Sequence, residues 1–262
     1  MSIDLGLAGT HALVTGAGVG IGRATARWLA RAGCSMTVVD VDADALEDAA
    51  AEIAQEGPPV HSVVADLRDP EQVRATIADA EAANGPLGVA VNNVGSLGGR
   101  SPGAFVDADD EWLRDIVELN LLVTMYCCQA EARAMIASAT PGVIVNVTSG
   151  ESTRPSLRMA PYGAAKAGIN SLTATLAVEL GRYGIRVVAV APGTTLTPVV
   201  RAALDDATVE RLVAAHPLGR LTEPDDLART IVAVCSDLGG AITGSVVFGD
   251  NGAHLARNRP PL

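Results

Sequence analysis

Seven short runs rich in branched aliphatic residues alternate with longer helical stretches, and this alternation constrains the fold more than any other feature. Strands are predicted at His11–Thr15, Ser35–Asp40, Val60–Val64, 89–92, 143–147, 186–190 and 245–248. Helices are predicted over 21–32, 42–56, 69–83, 109–138, 161–183 and 224–236. Gly33 closes the first helix, and Gly57-Pro58-Pro59 stops the second. Runs such as SMTVVD and GVIVNV are apolar at successive positions, the pattern of strands covered on both faces in a parallel sheet. Right-handed crossovers then give an α/β, Rossmann-type doubly wound parallel sheet flanked by helices. The 262 residues suffice for one such domain spanning 1–262, with no linker or internal repeat. The least regular stretch, 194–216, follows the sixth strand and is expected to lie over the ligand-binding end of the sheet as a lid.

Hydrophobic residues make up 48% and charged residues 19%, so the chain can build a core. Aromatic residues are only 3%, which argues against stacking platforms for single-stranded nucleic acid. The formal net charge of -11 repels phosphate backbones and anionic bilayers, so neither nucleic acid nor membrane is expected as a partner. A phosphate-bearing cofactor stays open, because amides at a helix N-terminus can hold one. No apolar run is long enough to span a bilayer. Cys34, Cys127, Cys128 and Cys235 form no CxxC, and without a secretory leader pattern they read as reduced thiols of a cytoplasmic protein. His11, His61, His216 and His254 are scattered, so no metal site is expected.

Several motifs sit at strand ends. The first strand runs into Thr15-Gly16-Ala17-Gly18-Val19-Gly20-Ile21-Gly22, a TGxxxGxG loop opening a helix. GxGxxG does not fit, because counting from Gly16 its last position is Ile21. Alone, such a loop is either a phosphate cradle or a structural turn. Asp40 ends the second strand, where a carboxylate can accept from both ribose hydroxyls and repel a 2′-phosphate; otherwise it caps the next helix. Asp66-Leu67 ends the third strand, with Asp66 alternatively a cap, and Asn92-Asn93-Val94-Gly95 ends the fourth. Tyr162 and Lys166 share a helix face at i,i+4. Ser149 precedes Tyr162 by thirteen positions, and Asn120 lies on the preceding helix. Ala191-Pro192-Gly193-Thr194-Thr195-Leu196-Thr197 follows the sixth strand.

In order and spacing, over nearly the whole chain, these motifs resemble the short-chain dehydrogenase/reductase family. The resemblance implies hydride transfer between a secondary alcohol and a ketone. It implies Asn120, Ser149, Tyr162 and Lys166 as the catalytic set. It implies a cofactor lying along Gly16, Val19, Gly20, Ile21, Asp40, Asp66, Leu67, Asn93, Gly95, Tyr162, Lys166, Pro192, Gly193, Thr195 and Thr197. Asp40, with Val19 and Val41 where a basic residue would favour a phosphate, points to NAD(H) over NADP(H). Backbone near Thr195 and the Thr197 hydroxyl would hold the carboxamide, with transfer of the pro-S hydride.

The chemistry asks for a proton at the carbonyl oxygen, and a free tyrosine, with a pKa of about 10, is a poor base near neutrality. Lys166 is expected to lower the pKa of Tyr162 and to hold the nicotinamide ribose, Ser149 to polarise the oxygen, and Asn120 to bind a relaying water. Substrate contacts are expected from Ser149, Gly150, Glu151, Tyr162 and Leu196. Glu151 either binds a polar substrate group or points to solvent. An apolar stretch at Leu196, Val199, Val200, Ala203, Leu204, Leu212 and Val213 suits an apolar alcohol or ketone. The alternatives are a 3-oxoacyl thioester reductase, against which Asp40 argues, and a catalytically silent NAD-binding regulator. A YxxMxxxK enoyl reductase is disfavoured by the three-residue gap between Tyr162 and Lys166. The helices over 109–138 and 161–183 are expected to pair between subunits of a homo-oligomer, a tetramer or else a dimer. The tail at 257–262 is expected to be flexible.

Overall fold

The computed structural model describes residues 4–57 and 60–256. Pro58-Pro59 and the tail expected to be flexible lie outside them. Seven strands form one parallel sheet in the order β3-β2-β1-β4-β5-β6-β7. They are β1 His11–Thr15, β2 Ser35–Asp40, β3 Val60–Val64, β4 Leu87–Asn92, β5 Gly142–Val147, β6 Ile185–Pro192 and β7 Val246–Gly249. The order reverses between β1 and β4. Chains leaving the carboxyl ends of these two strands diverge to opposite faces and open a crevice.

The continuous apolar strands are explained by two cores. Val14, Val38, Val145 and Val188 point into one, while Leu13, Val39, Ile144 and Val187 point into the other. The first core is closed by α1 Gly20–Arg31, α2 Ala43–Ile53 and α9 Pro224–Cys235. The second is closed by α3 Pro70–Asn84, α5 Val123–Ala137 and α6 Ala160–Leu180.

Four details differ from the sequence expectation. The helix expected over 109–138 is α4 Asp110–Val117, a wide π turn at Glu118–Leu122, then α5. A side-chain amide at Asn120 donates to Ile116 O at 3.0 Å, engaging a carbonyl of the preceding turn where the helix widens. The sixth strand extends to Pro192, so the start of the PG motif is sheet rather than loop. The stretch 194–216 is more regular than expected, holding α7 Pro198–Ala203 and α8 Asp206–Ala214. Thr197 caps α7 through Val200 N–H at 3.3 Å, and Asp205 caps α8 through Thr208 N–H at 2.7 Å. Finally, a short helix, α10 Ala253–Ala256, follows β7. Periodicity alone gives little signal for elements this brief.

Candidate active site

The glycine loop lies at the crevice. Gly16 has φ +62, a left-handed conformation that favours glycine. A Cβ on Gly22 would fall 2.0 Å from Gly16 O, so that side of the turn closes only with glycine. Asn93 braces the loop, donating from Nδ2 to Thr15 O at 3.2 Å and Gly16 O at 3.1 Å. Val19 is exposed at the mouth. Gly20 approaches Thr197, whose Cγ2 is 3.0 Å from where a Cβ on Gly20 would lie, so the 194–197 segment overhangs the loop.

Asp40 is not a helix cap. Its Oδ2 accepts from Gly18 N–H at 2.8 Å and its Oδ1 from Asp42 N–H at 3.1 Å, while Asp42 caps α2. The carboxylate is thus held at the loop's shoulder. Likewise Asp69, not Asp66, caps α3, accepting from Glu71 N–H at 2.8 Å. Asp66 is exposed and accepts from Arg68 N–H at 3.0 Å, with Leu67 buried beside it.

At the other end, Ser149, Tyr162, Lys166 and Asn120 converge below β5. Ser149 follows the strand and its Oγ accepts from Glu151 N–H at 3.1 Å. Lys166 is buried and donates from Nζ to Val147 O at 3.0 Å; its ammonium is 5.8 Å from the Tyr162 ring centre. Burial pulls the Lys166 pKa down to about 8. Asn120 is fully buried and spends its amide hydrogens on Ser96 O (2.9 Å) and Ile116 O. Its Oδ1 has no partner among the described residues. A Cβ on Gly95 would lie 2.6 Å from that oxygen and 2.8 Å from Lys166 Nζ, so both polar atoms face the same small space.

Tyr162 has its pKa raised, first by burial; the Ser149 hydroxyl pulls down and the Glu151 carboxylate pushes up.

Beyond β6, Thr195 is buried and its Oγ1 donates to Gly193 O at 3.2 Å. Leu196 N–H donates to Thr222 O at 2.8 Å, and Gly150 is buried under Pro192 O. Glu151 does not point freely to solvent. Its side chain is 12% exposed and pairs with Arg154 at 2.8 Å. Sequence reasoning missed Arg154, which carries no motif. It also missed Glu131, a fully buried carboxyl on α5 held by Asn92 Nδ2 at 2.9 Å. The signal for Glu131 was its place at helical spacing on the face that carries Cys127, Cys128 and Met135, which is buried.

The four cysteines are free and buried. Among the described residues, no group of three or more His, Cys, Asp or Glu is placed to hold a metal, and no helix is long and apolar enough to cross a membrane.

A glycine-cradled crevice at the switch point of a parallel sheet, beside a Ser–Tyr–Lys–Asn cluster, defines a dinucleotide-dependent oxidoreductase. A family model described as enoyl-(acyl carrier protein) reductase matches residues 16–254. The chain is 36% identical over 253 residues to the short chain dehydrogenase/reductase astE of Aspergillus oryzae, covering 95% of this chain and 96% of the relative. It is 35% identical over 248 residues to a 2,5-dichloro-2,5-cyclohexadiene-1,4-diol dehydrogenase of Sphingobium indicum, covering 94% and 97%. A 7α-hydroxysteroid dehydrogenase solved with NADH and 7-oxo glycochenodeoxycholic acid superimposes with a TM-score of 0.90 at 30% identity, over 96% of this chain and 98% of that one. The chain belongs to the short-chain dehydrogenase/reductase family. It is accordingly an oxidoreductase working between alcohol and carbonyl groups with a nicotinamide dinucleotide.

Proposed function

We propose that this protein interconverts a secondary alcohol and a ketone with NAD(H) in preference to NADP(H), using Tyr162 as the proton donor and acceptor. The single observation that carries the reading is the convergence of Ser149, Tyr162, Lys166 and Asn120 at the carboxyl end of β5, across the crevice from the glycine loop.

The residues fit the cofactor. Gly16 and Gly22 keep the cradle clear of side chains, and Asp40 sits at its shoulder with an acceptor for ribose hydroxyls. Val19, exposed at the mouth, brings no cation for a 2′-phosphate. Gly20, Ile21, Asp66, Leu67, Asn93 and Gly95 border the adenosine half; Pro192, Gly193, Thr195 and Thr197 border the nicotinamide half. When bound, the nicotinamide ring supplies or accepts the hydride.

In reduction, the Tyr162 phenol gives its proton to the carbonyl oxygen while Ser149 donates a hydrogen bond to the same atom. The raised Tyr162 pKa keeps that donor protonated near neutrality. Lys166, which would hold the nicotinamide ribose, and the unpartnered Asn120 Oδ1 frame a space in which a water can carry the replacement proton. Alcohol oxidation reverses each step, releasing one proton per hydride removed. Leu196 and Gly150 border the substrate, and 194–216 closes over it. The subunit assembles as a homo-oligomer.

The test is Tyr162→Phe, which keeps the ring and removes the hydroxyl. Turnover should fall below detection while NADH still binds; near-normal turnover would refute the mechanism.

A further inference from the structure

The Glu151–Arg154 pair takes no part in the proton and hydride steps described above, yet it is built into the site. Arg154 and Glu151 are 13% and 12% exposed, so the pair is largely withdrawn from water. Arg154 is anchored on its far side, donating from Nη1 to Ala253 O at 3.2 Å in α10. That helix is tied down by Asp250, which accepts from His254 N–H at 2.7 Å and Gly252 N–H at 3.0 Å. Asp250 also abuts Gly193, with its Cβ 2.9 Å from where a Cβ on Gly193 would lie. The Arg154 guanidinium approaches Gly150 from the other side, 3.9 Å from the corresponding point there. The pair is therefore clamped between the segment after Ser149, the nicotinamide-side turn and the C-terminal helix. It lies close enough to Tyr162 for the Glu151 charge to be felt by the phenol.

The pair's chemistry selects among ligands. Its net charge is zero, so it offers an anion little attraction, and Glu151 repels one. A purely hydrocarbon substrate would cover two charged groups and give them nothing in return. A neutral hydroxyl suits both partners, because it donates to the carboxylate and accepts from the guanidinium.

We propose that Glu151 and Arg154 form a second substrate subsite that reads a hydroxyl remote from the reacting carbon, making the substrate a diol or the matching hydroxyketone. This rests on the dehydrogenase reading above and replaces the simple apolar alcohol expected from the 194–216 segment. At the reacting carbon the C–H pair leaves as hydride to the oxidised nicotinamide, and the O–H proton goes to the Tyr162 phenolate, whose own proton has first left through the water held by Lys166 and Asn120; the second hydroxyl is unchanged.

The experiment compares kcat/KM for 1,2-, 1,3- and 1,4-cyclohexanediol with cyclohexanol, in the wild-type enzyme, Glu151→Gln and Arg154→Met, with NADH binding as the check on folding. A hydrogen bond to a charged group sets the scale of preference at about tenfold or more. The wild type should favour at least one diol by that factor, and the ratio should collapse in both variants. Turnover of cyclohexanol with no diol preference in the wild type overturns the subsite alone. So does an equal loss for diol and cyclohexanol in the variants, which would assign the pair to holding α10. No turnover of any of the four alcohols by wild type that binds NADH overturns the dehydrogenase reading, and the subsite with it.

Discussion

Replacing Glu131 by glutamine should stabilise the protein above neutral pH and leave it unchanged in acid. Glu131 projects from α5 into the second core with no exposure, and among the described residues it forms no ion pair. Its neighbours are polar but neutral. Asn92 donates to its Oε2, and Asn92, Cys128 and Thr173 meet around Asn146 at 3.0–3.2 Å. Cys127 and Cys128 share its helix, and burial holds both thiols in the neutral form. Burial raises the Glu131 pKa from 4.5 to about 7, opposed by the Asn92 hydrogen bond. Between those values the folded protein keeps a proton that the unfolded chain has lost, so unfolding free energy falls as pH rises. Below the unfolded value both states are protonated and the penalty vanishes; above the folded value it is fully present. At 1.36 kcal/mol per unit, the penalty is about 3 kcal/mol, to order of magnitude.

A glutamine cannot ionise. Its carbonyl can replace Oε2 as the acceptor, and its NH2 has a candidate acceptor in Asn92 Oδ1, which is also unpartnered. Urea unfolding at fixed protein concentration, at about pH 4.5 and about pH 8, checks this. The variant should gain up to about 3 kcal/mol over wild type at the higher pH and close to nothing at the lower. A difference that is the same at both pH values would refute the buried-carboxyl argument.

Asp40→Ala should lower kcat/KM with NAD by at least about tenfold and narrow the gap to NADP, since both the ribose acceptor and its repulsion of phosphate go; unchanged preference would remove Asp40 from cofactor choice. Gly22→Ala should abolish tight NADH binding, measured by fluorescence titration, because its Cβ meets Gly16 O at 2.0 Å and must displace backbone. Lys166→Met should stabilise most below about pH 8, with the gain shrinking toward pH 10.5, because the buried ammonium has its pKa lowered and the unfolded chain binds the extra proton in that window. A gain independent of pH in denaturant titrations would refute a charged buried Lys166.

The sheet and the motifs were legible in the sequence because their physics is local. Doubly covered strands such as SMTVVD can be apolar at every position only between two cores, and the structure contains both. TGAGVGIG is readable because glycine is demanded by a backbone turn and a close approach, and Tyr162 with Lys166 because helical spacing places them on one face. What the sequence could not supply was the balance of long-range terms. The sign of the Tyr162 shift depends on how deeply folding buries the phenol and on the Ser149 hydroxyl and Glu151 carboxylate brought near it. The partner of Glu151 depends on the loop that brings Arg154 back to it and on α10, contributed from about a hundred residues away. Glu131 shares a helix stripe with Cys127, Cys128 and Met135, but only the packing of α5 on β4 and β5 removes its carboxyl from water. Local pattern determined which elements form and where the chemistry is carried; tertiary packing decided the solvation of each charge, because desolvation belongs to no single segment.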